Sequence, residues 1–226
     1  PIGSAGNGTE SNMIFWRGDY PGSECTIGVT GADAMDTNFR GYMDIAGFTF
    51  DGTMSPGTTA CKVGSTSPGC RVRDNQFLNN AQAIWCSSGS LDSLIYDNDI
   101  TIPNSMVARG IRVSNGATGH WIFANLIHGD NVGTEFCNGI ILDESGTSAN
   151  YVFYNKVYDL AQGDGIAVSV GASGNFLYNN TVGPNTKDTL SIEDGHSNTI
   201  KYNIIMQNGV AGTTYPAVKL GSNFGA

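Results

Sequence analysis

One phrase recurs six times along this chain: an aliphatic residue, two variable residues, Asn, one variable residue, then another apolar residue. It reads Val72-Arg73-Asp74-Asn75-Gln76-Phe77, Ile95-Tyr96-Asp97-Asn98-Asp99-Ile100 and Ile122-Phe123-Ala124-Asn125-Leu126-Ile127. It continues as Val152-Phe153-Tyr154-Asn155-Lys156-Val157, Leu177-Tyr178-Asn179-Asn180-Thr181-Val182 and Ile200-Lys201-Tyr202-Asn203-Ile204-Ile205. Successive Asn residues are 23, 27, 30, 25 and 23 positions apart. A repeat of that period is one supersecondary unit that cannot bury its own apolar face, so the units must stack into a solenoid.

A second phrase follows each Asn by roughly a dozen residues. It appears as Ala83-Ile84-Trp85-Cys86, Gly110-Ile111-Arg112-Val113, Gly139-Ile140-Ile141-Leu142 and Gly165-Ile166-Ala167-Val168. Weaker copies are Thr189-Leu190-Ser191-Ile192 and Ala217-Val218-Lys219-Leu220. Period-2 alternation marks half-buried strands, with Leu190 and Ile192 turned in and Ser191 out. Each coil then holds three short strands, and stacking places equivalent residues about 4.8 Å apart. The recurring Asn suits the bend between two strands because it tolerates the left-handed conformation, and its amide can bond to the Asn above and below as a ladder. Met43-Asp44-Ile45-Ala46-Gly47-Phe48 reads as a degenerate copy, with Ala46 in the Asn position and Gly47 easing the bend.

Composition agrees with an all-β chain: 31 Gly and 14% charged residues in a total of 226 describe a turn-rich protein. The repeat implies one domain over 1–226, with less regular coils and a long loop over 1–59 and regular coils over 60–226. A net charge of −9 disfavours nucleic acid, which calls for a basic footprint. It also works against a polyanionic substrate unless Ca²⁺ bridges the two. No apolar run is long enough to span a membrane. Five Cys are present; Cys61 and Cys70 bracket a Gly/Ser/Thr/Pro-rich loop that a disulfide could close, and Cys86 reads as a buried free thiol. The start at Pro1 reads as a processed product, and an extracellular or cell-surface location is expected.

These repeats resemble the right-handed, single-stranded parallel β-helix of the pectate-lyase-like superfamily. The opening Ser4-Ala5-Gly6-Asn7-Gly8-Thr9-Glu10-Ser11-Asn12-Met13-Ile14, followed by Tyr20-Pro21-Gly22, is similar to the first coil of many bacterial members. The repeats of this chain make about seven or eight coils. The resemblance implies polysaccharide as partner and a lyase or hydrolase as the activity class. It does not select one chemistry, because the superfamily also includes epimerases, tailspikes, adhesins and silent scaffolds.

Two outer faces carry candidate residues. On the strand before the Asn, the outward columns are Tyr96, Phe123, Phe153, Tyr178 and Leu94, Trp121, Tyr151, Phe176. Contiguous exposed apolar surface marks a binding face, and flat rings suit sugar rings or a partner subunit. Trp121, Tyr151 and Phe176 are the expected substrate-binding residues here.

On the Gly-Ile strand, where related polysaccharide enzymes bind their substrates, the outward column is Lys62, Trp85, Arg112, Ile141, Ala167, Ser191, Lys219. The column before it runs Gln82, Arg109, Asn138, Asp164, Asp188, Pro216. Asp164 and Asp188 on adjacent coils would stand roughly 5 Å apart, near enough to share a proton, act as acid and nucleophile, or hold Ca²⁺. Asp143-Glu144 and Glu193-Asp194 lie two coils apart, roughly 10 Å, a separation suited to an inverting glycosidase.

The expected catalytic set is therefore Asp164, Asp188 and Arg112, with Trp85, Arg109, Asp143 and Glu193 binding substrate. No metal-ligand spacing stands out, and Ca²⁺ is the one cofactor this face could hold. The motifs depart from the hydrolases of that superfamily: Gly195-His196 is followed by Ser197, and no Arg-x-Lys pair is present. The rival expectation is a non-catalytic, tailspike-like or filament-forming module that self-associates end to end or laterally through open ends and the aromatic strip.

Overall fold

The computed structural model describes residues 7–19, 25–30, 33–52, 58–64, 66–103, 107–129, 136–160, 162–185, 187–206 and 215–221. Ser4 to Gly6, Tyr20-Pro21-Gly22 and the tail after Gly221 lie outside them, so the resemblance of the opening coil is observable only around Thr9 to Ile14.

Three parallel sheets run the length of the molecule, each of eight strands. The chain visits them in strict rotation, every third strand returning to the same sheet one coil further on. The first sheet extends from Ile14–Arg17 to Thr199–Lys201, the second from Cys25–Val29 to Ile204–Ile205, and the third from Met35–Asp36 to Val218–Leu220. This is the parallel β-helix that the repeat requires. Two opening coils lack the laddering Asn and six carry it, so the regular solenoid has about six turns. That is slightly fewer than seven or eight, because the first coils are built from less regular segments.

Stacking identical phrases aligns identical side chains. Val72, Ile95, Ile122, Val152 and Leu177 form one inward column, each in register with the next. Phe77, Ile100, Ile127, Val157 and Val182 form another, and Ile84, Ile111, Ile140, Ile166 and Leu190 a third. These residues are almost wholly excluded from water. Phe50 stacks on Phe77 inside the core, with centroids 4.9 Å apart.

The Asn ladder is present. Asn98 Nδ2 donates to Asn125 Oδ1 at 2.9 Å, Asn125 to Asn155 at 2.9 Å, Asn155 to Asn180 at 3.0 Å and Asn180 to Asn203 at 2.9 Å. The bend, however, is made one residue earlier than expected. The left-handed residues are Asp74, Asp97, Ala124, Tyr154, Asn179 and Tyr202, at φ between 53° and 58°. The Asn itself turns inward, where its amide satisfies buried main-chain groups that would otherwise be left unpaired. The degenerate early copy shifts accordingly. Ala46 pairs with Arg73, Gly47 takes the left-handed bend at φ 76°, and Phe48 holds the Asn position, its N–H donating to Asn75 Oδ1.

A second ladder runs along the corner before the first sheet. The main-chain N–H of Ser93 donates to His120 Nδ1, that of His120 to Asn150 Oδ1, that of Asn150 to Asn175 Oδ1, and that of Asn175 to Asn198 Oδ1. Here too the preceding residue is left-handed: Asp92, Gly119, Ala149, Gly174, Ser197. The disulfide considered between Cys61 and Cys70 is not formed; both are buried free thiols, as are Cys86 and Cys137, while Cys25 is exposed. Burial raises the Cys70 thiol to about 11, so it is neutral at ordinary pH.

Candidate functional site

The expected site residues fall on two different sheets. Trp85, Arg109, Arg112 and Asp143, followed by Asp164, Asp188 and Glu193, belong to the third sheet and its edges. Trp121, Tyr151 and Phe176 are consecutive partners on the first. One groove does not unite them.

On the third sheet Trp85 lies between cations from the coils before and after it, with Lys62 Nζ 5.1 Å and Arg112 Cζ 5.4 Å from its ring centroid. Its indole N–H donates to Ser114 Oγ at 2.8 Å. Arg112 is itself engaged: Nε and Nη2 donate to the two oxygens of Asp143 at 3.2 and 3.1 Å, and Nη2 also to Glu144 at 2.9 Å. Such a bidentate, half-buried pair positions both partners and leaves the guanidinium little capacity for a ligand. Arg109, three residues earlier on the same strand, keeps an enclosed Nε without a hydrogen-bond partner, and its burial beside Arg112 lowers its pKa.

Further along, the outward residues Ile141, Ala167 and Ser191 are covered, at 7%, 3% and 1% exposure. Asp164 and Asp188 occupy equivalent positions on adjacent coils, as expected, the N–H of Gly165 donating to the Asp188 carbonyl. Lys187 Nζ stands 3.2 Å from Asp164, and Lys219 bridges Glu193 and, at 3.8 Å, Asp188. Burial raises the pKa of both aspartates, while Lys219 lowers that of Glu193. Both oxygens of Asp188 are buried without a hydrogen-bond partner. Lysines thus stand beside these carboxylates, and among the described residues no group of three or more His, Cys, Asp or Glu side chains is arranged to hold a metal ion.

The first sheet is the open face. Tyr96, Phe123, Phe153 and Tyr178 form a continuous stack, centroids 4.9, 5.1 and 5.1 Å apart and planes within 9° of parallel. Tyr151 and Phe176 stack likewise at 4.8 Å. These rings therefore face one another along the solenoid and turn their edges outward, so they are not the flat sugar platforms that the sequence suggested. Trp121 is the exception. It is tilted 43° to Tyr151 and 78° to Phe153, and is 47% exposed. Its neighbour on the other side is Leu94, which offers no ring to stack upon.

Below Leu94 the face deepens into a cleft of about 320 Å³ lined by Glu10, Met13, Tyr42, Pro68, Gly69, Arg71, Asp92 and Leu94. Of these, sequence reasoning singled out only Leu94. Arg71 was detectable as the one cation in the column that otherwise reads Leu94, Trp121, Tyr151, Phe176; what it faces was not.

No protein-family model matches the chain, and neither does any curated protein. Among solved structures, the chain is similar to a double mutant of the periplasmic alginate epimerase AlgG, at 13% identity and a TM-score of 0.47, over 93% of this chain and 68% of that one. At that level the likeness assigns no residue a role. Among the described residues no helix is long and apolar enough to cross a membrane.

Proposed function

We propose that this β-helix is an extracellular or cell-surface protein that engages polysaccharide along the open face of its first sheet. The observation that carries the reading is Trp121, a half-exposed indole leaning out of an otherwise closed aromatic stack beside a polar cleft. A large apolar ring on a rigid strand, with hydrogen-bonding groups nearby, is what an amphipathic sugar ring requires. Calorimetric titration with soluble oligosaccharides tests it. Saturable binding that Trp121→Ala weakens by about tenfold or more supports the reading; binding indifferent to that change removes it.

A second reading, catalysis at Asp164 and Asp188, is favoured by the buried carboxylate of Asp188, whose oxygens make no hydrogen bond, beside a second carboxyl of raised pKa. Burial favours the protonated form that a general acid needs, and the lysines would stabilise its conjugate base. Turnover assays reading reducing ends and unsaturated uronate would reveal it, and Asp164→Asn should then abolish turnover without melting the fold. Silence across neutral and uronate polymers would leave a binding module.

A further inference from the structure

The cleft beside Trp121 is lined by charged groups that have no partners among the described residues. Arg71, Glu10 and Asp92 line it, and none of the three makes a side-chain hydrogen bond or ion pair among the described residues. Several other outward charges on these sheets are paired: Arg73 holds Asp44 at 3.0 and 2.9 Å, Arg112 holds Asp143, and Lys62 holds Asp33 at 3.4 Å. Three charged groups of opposite sign around one opening, kept out of contact with one another, leave room for a ligand between them.

The walls are built to keep that opening. Glu10 sits on a tight turn closed by reciprocal main-chain hydrogen bonds of 3.0 Å between Thr9 and Asn12. Tyr42 lies across Gly69, where a Cβ would come within 2.7 Å of its ring and where φ is +63°. Asp92 reaches over Gly119, whose missing side chain gives the carboxylate its place, two residues before Trp121.

We infer that the cleft binds a neutral sugar unit of a glycan that continues past Leu94 onto Trp121. The carboxylates of Glu10 and Asp92 accept hydrogen bonds from sugar hydroxyls, the Arg71 guanidinium donates to a hydroxyl or ring oxygen, and Leu94 and Met13 meet the ring's apolar face. The lining carries two negative charges and one positive, so a uronate would add like charge to a site already net negative. Coils rise about 4.8 Å each, close to the length of one sugar unit, so a chain laid along the axis keeps step from the Arg71 coil past Leu94 to Trp121.

This rests on the glycan reading above, and the two can fail separately. The probes are cellohexaose, xylohexaose and mannohexaose, with a galacturonate hexamer as the acidic arm, titrated calorimetrically into the full chain. Saturable binding of a neutral hexasaccharide is expected, weakened about tenfold or more by Arg71→Met and by Trp121→Ala. Glu10→Gln, an isosteric change on an exposed turn, should weaken it several-fold without altering the fold. Binding that depends on Trp121 but ignores both Arg71→Met and Glu10→Gln would overturn the cleft and keep the glycan reading. Binding confined to the galacturonate hexamer would overturn the neutral assignment, and no binding by any probe would remove both.

Discussion

His120 shows how far a single buried residue can set a response to pH. It replaces Asn in the second ladder, accepts the Ser93 N–H at Nδ1, and has Nε2 3.1 Å from Ser90 Oγ, fully buried. Burial drives its pKa down to about 4. Unfolded chains protonate the same imidazole near 6.5, so between about 6.5 and about 4 the unfolded state binds more protons and stability falls as pH falls. The loss is on the order of 3 kcal/mol across that window. Denaturant unfolding at pH 7 and pH 4.5 measures it. His120→Asn, which continues the ladder with the residue used by the next coils, should flatten this part of the profile. An unchanged slope would mean that other groups carry it.

The same scale explains why Arg112 and Arg71, alike in sequence as outward arginines, differ in availability. Asp143 and Glu144 reach Arg112 from 31 and 32 residues away, whereas nothing described reaches Arg71. Asp143→Ala would strip Arg112 of its bidentate partner in a half-buried position, at a cost of about 2–4 kcal/mol in unfolding free energy.

Among the elements, the ladders hold consecutive coils in register. Asn125 donates to Ile95 O at 2.9 Å and to Asn155, while its Oδ1 accepts from both the N–H and the Nδ2 of Asn98. Asn125→Ala therefore leaves several buried groups unpaired and should lower stability by about 2–4 kcal/mol. Asn203→Ala, at the half-buried end of the same ladder, should cost well under half as much. Equal effects in thermal unfolding would show that position in the stack does not matter. The second ladder was visible in principle: His120, Asn150, Asn175 and Asn198 advance by 30, 25 and 23 residues, as do Asn125, Asn155, Asn180 and Asn203. Its first rungs, Ser93 and His120, break the identity of the repeat while keeping its hydrogen bonding, which masks the pattern in the sequence.

At the scale of the molecule, each coil touches only its neighbours, so stability is a sum of coil and interface contributions and can be lost locally. The last coil is thinly covered: Ile204, Val218 and Leu220 are 60%, 42% and 61% exposed, whereas Ile95, Ile122 and Val152 in the middle are sealed. Amide hydrogen exchange should accordingly be slowest in Leu94–Tyr96, Trp121–Phe123 and Tyr151–Phe153 and fastest in Thr199–Lys201 and Val218–Leu220. Uniform protection along the axis would contradict that one-dimensional picture.

The repeating phrase alone was enough to establish coil, period, inward columns and the first ladder. A residue that recurs every 23 to 30 positions meets its own copy once the coils stack, so contacts within a column follow from identity and spacing. Outward chemistry does not repeat, and there only the folded chain could decide. Variable loops and corners choose which charges meet, and ring planes are set by packing against the coil above. Thus Arg112, Trp85 and most of the aromatic strip, all legible as candidates, are occupied by partners, while Trp121 is left open and Arg71 unpaired. The cleft between them is formed by Glu10, Tyr42, Arg71 and Asp92, which come from four successive coils and do not repeat from coil to coil in residue type.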